Sequence, residues 1–464
     1  MSIRSRIRAA ASAFRRDAPP ATRVRSFDAA TGGRRAGGFG NFGRHGQEAL
    51  AAAGTLRSRA RHAEANDPLL SAACAAWVNE CVGPGIRAVS QARDEALRPL
   101  IDGAWAAWSE VADAEERTDL GGLVAAAVRA CWTDGESFLL IEEDADRLAV
   151  RLIPAEQVDE SRTMAGPGDG YTVAGIEHDA QGRRTGYWVW PSRPTDTFAA
   201  TYSEPVRVPA RDVLHLHRPR GAGEVRGVPW AAPVLVSLNE YRQLSDALLV
   251  GQKVAALMAG FITSMDGTSG VGDVDLDSTT LEPGALIRLA AGEDVKFSSP
   301  QQAQQGTDFA KAMRREIAAG LGLPAFMLDG DLSDANYSSL RAGLQPLRRA
   351  AESFHRHQLV PQLLRPLWRR AMTREWLAER LDAPSPEALF PADFIRPAPL
   401  QVDPVKAAEA TRHELELGLT SRARAAAERG IDVASLDAEI AADRARQADL
   451  GLSFGDRDGS TNNA

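Results

Sequence analysis

Residues 317–341 read IAAGLGLPAFMLDGDLSDANYSSLR, and this stretch organises the second half of the chain. A helical pattern over residues 308–320 leads into it, and a loop rich in Asp and Gly follows over residues 328–337. From Ser338 onward, apolar residues recur at helical spacing. Three prolines interrupt this second pattern, at Pro346, Pro361 and Pro366. The stretch therefore predicts two helices joined by an acidic loop, the second helix being kinked or subdivided.

The segments before this stretch predict a mixed fold. Residues 229–258 form one continuous helical pattern, and residues 284–289 form a short strand pattern. Further upstream, helices are predicted from Pro68 to Val82, around Trp105 and Trp108, and over residues 120–132, and strands over residues 137–141, 148–153, 172–177, 185–190 and 213–217. Residues 175–179 and 186–190 flank a predicted hairpin turn. The first half is therefore predicted to be α+β.

The two ends of the chain differ from its body. Residues 1–62 hold 13 Arg and 3 acidic residues, a net charge of +10, so residues 63–464 carry −18 of the total of −8. Clusters of Gly and Arg predict a flexible arm, with organised structure starting near Arg61. The arm could contact nucleic acid or acidic protein, although a solvated tail is the simpler interpretation. Near the other end, three helices are predicted between residues 403 and 450, the first two capped by Asp403 and Thr420, with disorder after Gly451.

The composition excludes several classes of protein. The longest uncharged stretch near the middle of the chain, residues 254–265, has 12 residues, short of the roughly 20 that a membrane span needs. Arginines interrupt the only candidate for a secretion signal. Three cysteines, of which Cys74 and Cys81 share one helical face and are predicted to lie in the core, indicate a reducing compartment. We therefore expect a protein that folds in the cytoplasm without a membrane anchor.

Motifs for catalysis or metal binding are largely missing. None of the four lysines follows a Gly, which excludes an ordinary P-loop ATPase. The segment 215–217, His-Leu-His, would place two imidazoles on one strand face, but we prefer one packed and one solvated His because no further metal ligands lie nearby. Asp329, Asp331 and Asp334 resemble a calcium loop, yet Leu340 stands where its bidentate Glu is required. We therefore expect no enzyme, cofactor or metal site.

Six ordered groups of segments resemble the lambda-type family of phage portal proteins. They are residues 61–86; Trp105 and Trp108 with Asp134-Gly135-Glu136-Ser137-Phe138; residues 208–216 with Arg226-Gly227-Val228-Pro229-Trp230 and Asp246-Ala247; residues 281–284 with 292–295; residues 317–324 with 331–333 and 336–341; and residues 402–406 with 418–421. Each match is weak alone, whereas the ordered set runs from about residue 60 to 435. The N-terminal arm and the apolar-poor stretch 266–280 depart from the pattern.

The resemblance implies a multi-region subunit of a ring, usually of twelve copies, at one capsid vertex. The implied regions are a flexible arm (1–60), an α+β wing (61–228), a stem helix (229–260), a clip (261–305), a second stem helix (306–327), a tunnel loop (328–337), a long kinked wing helix (338–400), a helical crown (401–451) and a disordered tail (452–464). The implied role is structural: double-stranded DNA passes through the ring, without sequence specificity, during packaging and ejection.

The resemblance also implies the partners and the location of this ring. Its partners would be the terminase large subunit, the major capsid protein and the head-tail connector. The ring would belong to the virion, with assembly in the host cytoplasm. Two other classes of protein stay open: a minor head or adaptor protein without a channel, and a DNA-processing enzyme such as a nuclease or motor subunit.

The tunnel loop is the predicted DNA-facing element. Its predicted site residues are Asp329, Asp331, Asp334 and Asn336. Bound phosphates release counterions and so add affinity, which means that a basic lining would slow a sliding duplex. Between residues 328 and 340 there are three aspartates and no Lys or Arg, as free sliding would require. An exposed acidic turn without any role in DNA passage is the alternative interpretation.

Overall fold

A computed structural model describes residues 45–192, 204–256, 260–262, 286–288, 300–333, 336–397, 403–431 and 433–452. All elements below lie in the compact unit that begins at His45. The helices are α1 (His45–Asn66), α2 (Pro68–Cys81), α3 (Arg98–Glu110), α4 (Leu120–Asp134), α5 (Leu235–Ala256), α6 (Pro300–Gly320), α7 (Phe326–Asp329), α8 (Tyr337–Phe354), a π-helix (His355–Leu364), α9 (Arg365–Leu377), α10 (Pro404–Glu416), α11 (Arg422–Ala427) and α12 (Val433–Asp449). The strands are β1 (Arg87–Ser90), β2 (Glu136–Glu143), β3 (Leu148–Ile153), β4 (Met164–Ala165), β5 (Tyr171–Val173), β6 (Ile176–His178), β7 (Arg184–Val189), β8 (Val206–Pro209), β9 (Val213–His217), β10 (Gly260–Ile262), β11 (Leu286–Arg288) and β12 (Ala392–Ile395).

Aspartate side chains cap α2 and α4 at the positions where the sequence predicts these helices to start. Asp67 caps α2 with its carboxylate, and Pro68 occupies the first turn. Asp119 caps α4 in the same way. Gly135 ends α4 in the left-handed region, with a φ of 94°, and β2 starts at the next residue. The Asp-Gly pair at the end of α4 therefore turns a helix directly into a strand.

Antiparallel strands of the first half form two sheets. One has the order β3-β2-β9, and the other has the order β4-β5-β6-β7-β8. The predicted hairpin is confirmed, with Ile176 of β6 opposite Tyr187 of β7. The predicted strand 172–177 is divided into β5 and β6, because Ala174 and Gly175 adopt φ values of 47° and 80°. Strands β1, β4, β8, β10 and β12 were not predicted.

Two hydrophobic clusters lie on opposite faces of the β3-β2-β9 sheet. Side chains of a strand alternate between faces, so Leu139 of β2 joins the larger cluster while Phe138 joins the smaller one. The larger cluster includes most of the helical core. In it the ring centroids of Trp105 and Trp368 lie 5.0 Å apart. All three cysteines are buried and free. Cys74 and Cys81 belong to the larger cluster, which confirms them as core residues.

Helices α5 and α6 pack as an antiparallel pair through glycines. Any Cβ on Gly320 would lie 2.4 Å from the side chain of Val234, and one on Gly306 would lie 2.7 Å from Leu248. Val234, just before α5, thus meets the end of α6, whereas Leu248, later in α5, meets Gly306, earlier in α6. The predicted helical segments are confirmed, although α5 starts later, at Leu235, and α6 starts earlier, at Pro300.

The predicted flexible arm is wrong over residues 45–60. These residues belong to α1, and Ala49, Ala53 and Ala60 on its inner face are buried. Alanine has the highest helix propensity but little apolar surface, so this buried face was not visible as a hydrophobic pattern. Residues 1–44 of the arm lie outside the described residues.

The predicted long helix over residues 338–400 is wrong beyond Leu377. The chain runs through α8, the π-helix and α9, which confirms the predicted subdivision. It then forms a 3-10 turn at Pro386–Leu389 and the strand β12, which pairs antiparallel with β1. The partner of β12 is β1, far earlier in the chain, so no hairpin pattern close to β12 could have predicted this strand.

The three helices predicted near the C-terminus are confirmed, with one corrected cap. Asp403 caps α10, but Ser421 rather than Thr420 caps α11, because the Ser421 side chain accepts the hydrogen bond from Arg424 N. Most of the predicted clip, 261–305, and the predicted disordered tail from residue 453 lie outside the described residues. Strands β10 and β11 of the clip segment form a parallel pair. Within the described ranges, no helix combines the length and apolar character needed to cross a membrane.

Candidate functional site

The acidic loop follows α7 and is held by basic side chains of α6. Asp329 ends α7, and its carboxylate lies 3.5 Å from the guanidinium of Arg314. Asp331 lies 3.6 Å from the ammonium of Lys311. These basic side chains of α6 offset part of the loop charge, so the loop is less negative than residues 328–340 alone indicate.

Local hydrogen bonds occupy the polar side chains of the loop. Asp331 accepts hydrogen bonds from the amide and the hydroxyl of Ser333, and these bonds hold the pKa of its carboxyl below the ordinary value. Asn336 caps α8 by accepting the amide of Ser339, whose hydroxyl accepts from the Asn336 amide in return. Asp331 and Asn336 are exposed. Asp334 lies outside the described residues, so the predicted set is brought together only in part.

The loop is anchored to the helical core before it reaches the surface. Leu328 of α7 is buried, and the indole of Trp77 donates a 3.0 Å hydrogen bond to the carbonyl of Leu321. A cleft beside the loop is lined by Lys311, Arg315, Phe326, Asp329, Asp331 and Ser339. Charges of both signs line this cleft, which makes the loop a mixed rather than a purely acidic surface.

A second cluster of charge is fully buried, and sequence reasoning missed it. Glu136, the first residue of β2, accepts hydrogen bonds from Arg226 at 2.7 Å, from the Nε2 of His215 at 3.0 Å and from the amide of Gly227 at 3.0 Å. The three side chains are at most 2% exposed. We call Glu136, His215 and Arg226 the buried triad.

Arg226 joins the two sheets through the remaining donors of its guanidinium. It donates to the carbonyl of Ala155, which follows β3, and to that of Ala174, which lies between β5 and β6, each at 2.9 Å. An Arg side chain offers five donors in a fixed planar arrangement, so one residue can satisfy groups from several segments. The buried triad therefore fixes the position of the five-stranded sheet relative to β2.

Two glycines allow the segments that carry the buried triad to touch. Any Cβ on Gly227 would lie 2.1 Å from the carbonyl oxygen of Gly135, and one on Gly135 would lie 2.4 Å from the backbone of Val228. The Gly135-Glu136 and Arg226-Gly227 dipeptides thus pack backbone against backbone. Both dipeptides belong to the segments that resemble the portal family. Each pairs a glycine with a charged residue, acidic in one and basic in the other, and this pattern could have linked them.

The charge states of the buried triad follow from its contacts. Burial alone would raise the pKa of Glu136, but the charge of Arg226 and the hydrogen bond from His215 hold it well below the ordinary value. Burial lowers the pKa of His215 to about 3. Arg184 approaches the Nδ1 of His215 at 3.4 Å, which fits a neutral ring with its proton on Nε2. The triad is therefore one buried ion pair supported by a neutral imidazole.

The arginines of α1 extend this network. Arg57 donates to Glu160 at 2.5 Å, and Arg61 donates to both Asp134 and Glu156 at 2.6–2.9 Å. Arg61 lies where the sequence predicts organised structure to begin. These contacts explain why α1 is part of the folded body although its own apolar surface is small.

The prediction for the two histidines of β9 is confirmed only for His215, which is buried. His217 is half-buried rather than solvated, and its ring stacks on that of His215 with the centroids 4.3 Å apart. In the part of the chain that is described, no group of three or more His, Cys, Asp or Glu residues is placed to hold a metal ion. The polar groups of the buried triad are engaged with one another, so their role here is to position segments.

Comparison with known proteins identifies the family. Residues 32–354 match the family described as phage portal protein, lambda family. The fold is similar to a chain in the neck of an empty gene transfer agent particle (16% identity, TM-score 0.42, 85% of this chain and 96% of that chain) and to one in the virion of a native gene transfer agent particle (15%, 0.41, 85% and 96%). A chain in the neck of the native particle, computed with C12 symmetry, gives similar values (15%, 0.42, 83% and 98%). With TM-scores this low, the assignment depends on the family match, and because that match covers more than half of the chain, the protein belongs to the lambda family of phage portal proteins.

Proposed function

We propose that the chain is a structural subunit of a closed ring of twelve copies at one capsid vertex. Double-stranded DNA would pass through the bore of this ring during packaging and ejection. The ring would contact the major capsid protein and dock the terminase large subunit and the head-tail connector. The family match over residues 32–354 is the observation that carries the proposal. The ring would assemble in the host cytoplasm and remain in the virion.

The α5–α6 pair supports a role as the stem of the subunit. Its two helices pack closely through Gly306 and Gly320, which gives a stiff hairpin. Three apolar side chains of α5 and one of α6 are 52–70% exposed: Val236, Leu249, Val250 and Phe309. Neighbouring copies in a ring would cover them.

The remaining regions keep their predicted order with corrected limits. The proposed wing starts with α1 at residue 45 rather than 61, and the proposed long helix ends at residue 377. The clip over 261–305, the crown over 401–451 and the arm over 1–44 stay proposals. The family match spans the clip segment, whereas the crown and most of the arm lie outside residues 32–354.

The acidic loop is proposed to face the duplex. Asp329, Asp331, Asp334 and Asn336 would line the narrowest part of the bore. Lys311 and Arg314 each pair with one aspartate and so neutralise part of the loop charge. Each basic group is matched by an aspartate, so these pairs give the loop no excess of positive charge. Such a surface would neither hold phosphates nor repel them strongly over more than a Debye length of about 8–10 Å.

Electron microscopy of the purified full-length protein tests the ring. Closed rings with an open central bore are the expected result. Monomers, or oligomers without a bore, would contradict the proposal and favour a minor head or adaptor protein. Nucleotide hydrolysis or DNA cleavage by the pure protein would instead indicate a DNA-processing enzyme.

A further inference from the structure

A row of exposed arginines runs along the helical segment formed by α8, the π-helix and α9. Its members are Arg341, Arg349, Arg356 and Arg365. Arg349 and Arg356 are seven residues apart, close to two turns of α-helix at about 3.6 residues per turn. The eight residues from Arg341 to Arg349 exceed two turns by about 80°, so Arg341 lies beside this line. The third interval, of nine residues, is two turns of π-helix at about 4.4 residues per turn. The π-helix therefore keeps Arg365 in line with Arg349 and Arg356, and Arg341 flanks this line.

The arginines of this row differ from those on the other side of the same segment. Arg370 bonds Glu143 and Asp212, and Arg374 donates to backbone carbonyls of the β2–β3 turn. Within the described residues, by contrast, no hydrogen bond or ion pair engages the side chains of the row. Glu352, exposed between Arg349 and Arg356, is the only acidic residue from 341 to 365. The face therefore carries a net positive charge in a body of net negative charge.

The row lacks the apolar side chains that a protein partner would need. Among the described residues, no large hydrophobic side chain between Leu332 and Leu377 is exposed. Protein interfaces have a buried centre enriched in aromatic and apolar residues. A phosphodiester backbone needs no such centre, since guanidinium groups bind phosphate oxygens by charge-assisted, often bidentate, hydrogen bonds.

We propose that the arginine row binds the phosphate backbone of double-stranded DNA without sequence specificity. The contact would extend over about 30 Å of helical segment, at a rise of about 1.5 Å per residue in its α-helical part. It differs from the contact proposed for the acidic loop, which lets a duplex slide, because the row holds phosphates. The inference does not require the ring, since an exposed helical face and a duplex are sufficient.

Salt-dependent DNA binding by the full-length protein tests the row. The variant Arg341→Gln, Arg349→Gln, Arg356→Gln, Arg365→Gln is compared with the unchanged protein by fluorescence anisotropy on a short labelled duplex. Each phosphate contact contributes about −0.9 to the slope of log K against log salt, so the variant slope should be less negative by about 3–4. The loss of affinity between 50 and 200 mM salt should accordingly shrink by roughly 100-fold.

A matched variant controls for net charge. Arg59, Arg93, Arg183 and Arg444 are also exposed but lie outside the row. Changing these four to Gln alters the net charge equally and should leave the slope unchanged. Equal effects of both variants, or an unchanged slope in the row variant, would overturn the proposal.

Two further measurements keep the proposal testable. Sedimentation velocity shows whether the row variant alone loses oligomers, which would assign the row to a second copy of the chain and overturn DNA binding. If the fourfold variant loses its helical circular dichroism, the four single variants replace it, each with an expected slope change of about 0.9. Glu352→Gln removes the negative charge within the row and should tighten DNA binding several-fold, and weaker or unchanged binding would contradict the proposal.

Discussion

The buried triad and the acidic loop contain the same type of ion pair in opposite surroundings. The side chains of Arg226 and Glu136 are 2% and 0% exposed, whereas those of Lys311 and Asp331 are 32% and 36% exposed. Water and salt screen the second pair, whereas beside the first only Arg57, 3.6 Å from Glu136 and 5% exposed, stands close to a lost partner. We therefore expect the buried charges to be required for the fold, and the loop charges to be replaceable without a change in the fold.

Removing Arg226 should produce the largest loss of stability. Arg226→Met removes the closer countercharge of the buried Glu136 carboxylate and leaves only Arg57 at 3.6 Å, and the loss of one partner from a buried pair typically costs about 3–5 kcal/mol. Urea denaturation of the full-length protein measures the free energy of unfolding. Lys311→Met, which breaks the exposed pair, is the control and should shift the midpoint far less. Equal shifts would show that burial does not distinguish the two clusters.

Adding one methyl group at Gly227 should give the next largest loss. The new Cβ would meet the carbonyl oxygen of Gly135 at 2.1 Å, and a backbone group cannot move aside as a side chain end can. Overpacking of this kind costs about 1–3 kcal/mol or more. Gly54→Ala is the matched control, since nothing lies within 4 Å and the helical position should gain about 0.5–1 kcal/mol. Similar melting temperatures for the two variants would contradict the backbone contact.

Acid should destabilise the buried region before the loop. Burial lowers the pKa of His215 to about 3 and that of His355 to about 4, from an ordinary value of 6.5. As the pH falls below 6.5, the unfolded chain takes up protons that the folded chain does not, so stability present above pH 6.5 is lost on acidification. Glu136, whose pKa is lowered from 4.5, adds a further loss below that pH.

A single substitution measures one part of this acid sensitivity. His355→Leu should reduce the stability lost between pH 6.5 and 4 by an amount on the order of 2 kcal/mol. Thermal melts at several pH values provide the measurement. Replacing the exposed His357 by Leu is the control for removing an imidazole from the same helical segment. An unaltered slope in the His355 variant would mean that this imidazole is protonated in the folded protein.

The loop should show the smallest effect on stability and still affect function. Changing Asp329, Asp331 and Asp334 to Lys should leave ring assembly intact, because the accessible pair of Asp331 with Lys311 contributes little. At Asp329, which is 11% exposed, Lys would face Arg314 and lower stability modestly. DNA packaging by the assembled particle should slow or stall, since a basic loop holds phosphates. The triple change to Asn is the control for lost negative charge. Normal packaging by the Lys variant would show that the loop does not face the duplex.

Local signals were sufficient to predict most helices and several strands. Asp67, Asp119 and Gly135 act through contacts within their own turn, so their roles as caps and terminator can be inferred from neighbouring residues. The start of α8 is equally local, because Asn336 caps this helix through Ser339, three residues later. Such features depend on a few consecutive residues, which is why a sequence shows them.

The missed features depend on residues that are distant in sequence. Glu136 and Arg226 become partners only after the chain has brought two glycine motifs together. The partners of Asp329 and Asp331 on α6 were missed for the same reason, because the charge of a loop depends on the helix that packs beside it. A local window contains neither piece of information.

The pairing of β1 with β12 has a consequence for how each copy is made. Ile395 pairs with Arg87 although it lies about 300 residues later in the chain. At a translation rate of about 5–20 residues per second, the ribosome needs roughly 15–60 s to deliver the second strand. Throughout that interval β1 presents an unpaired edge to other nascent chains. Fast production of many copies would therefore favour a chaperone that shields this edge until synthesis has passed residue 395.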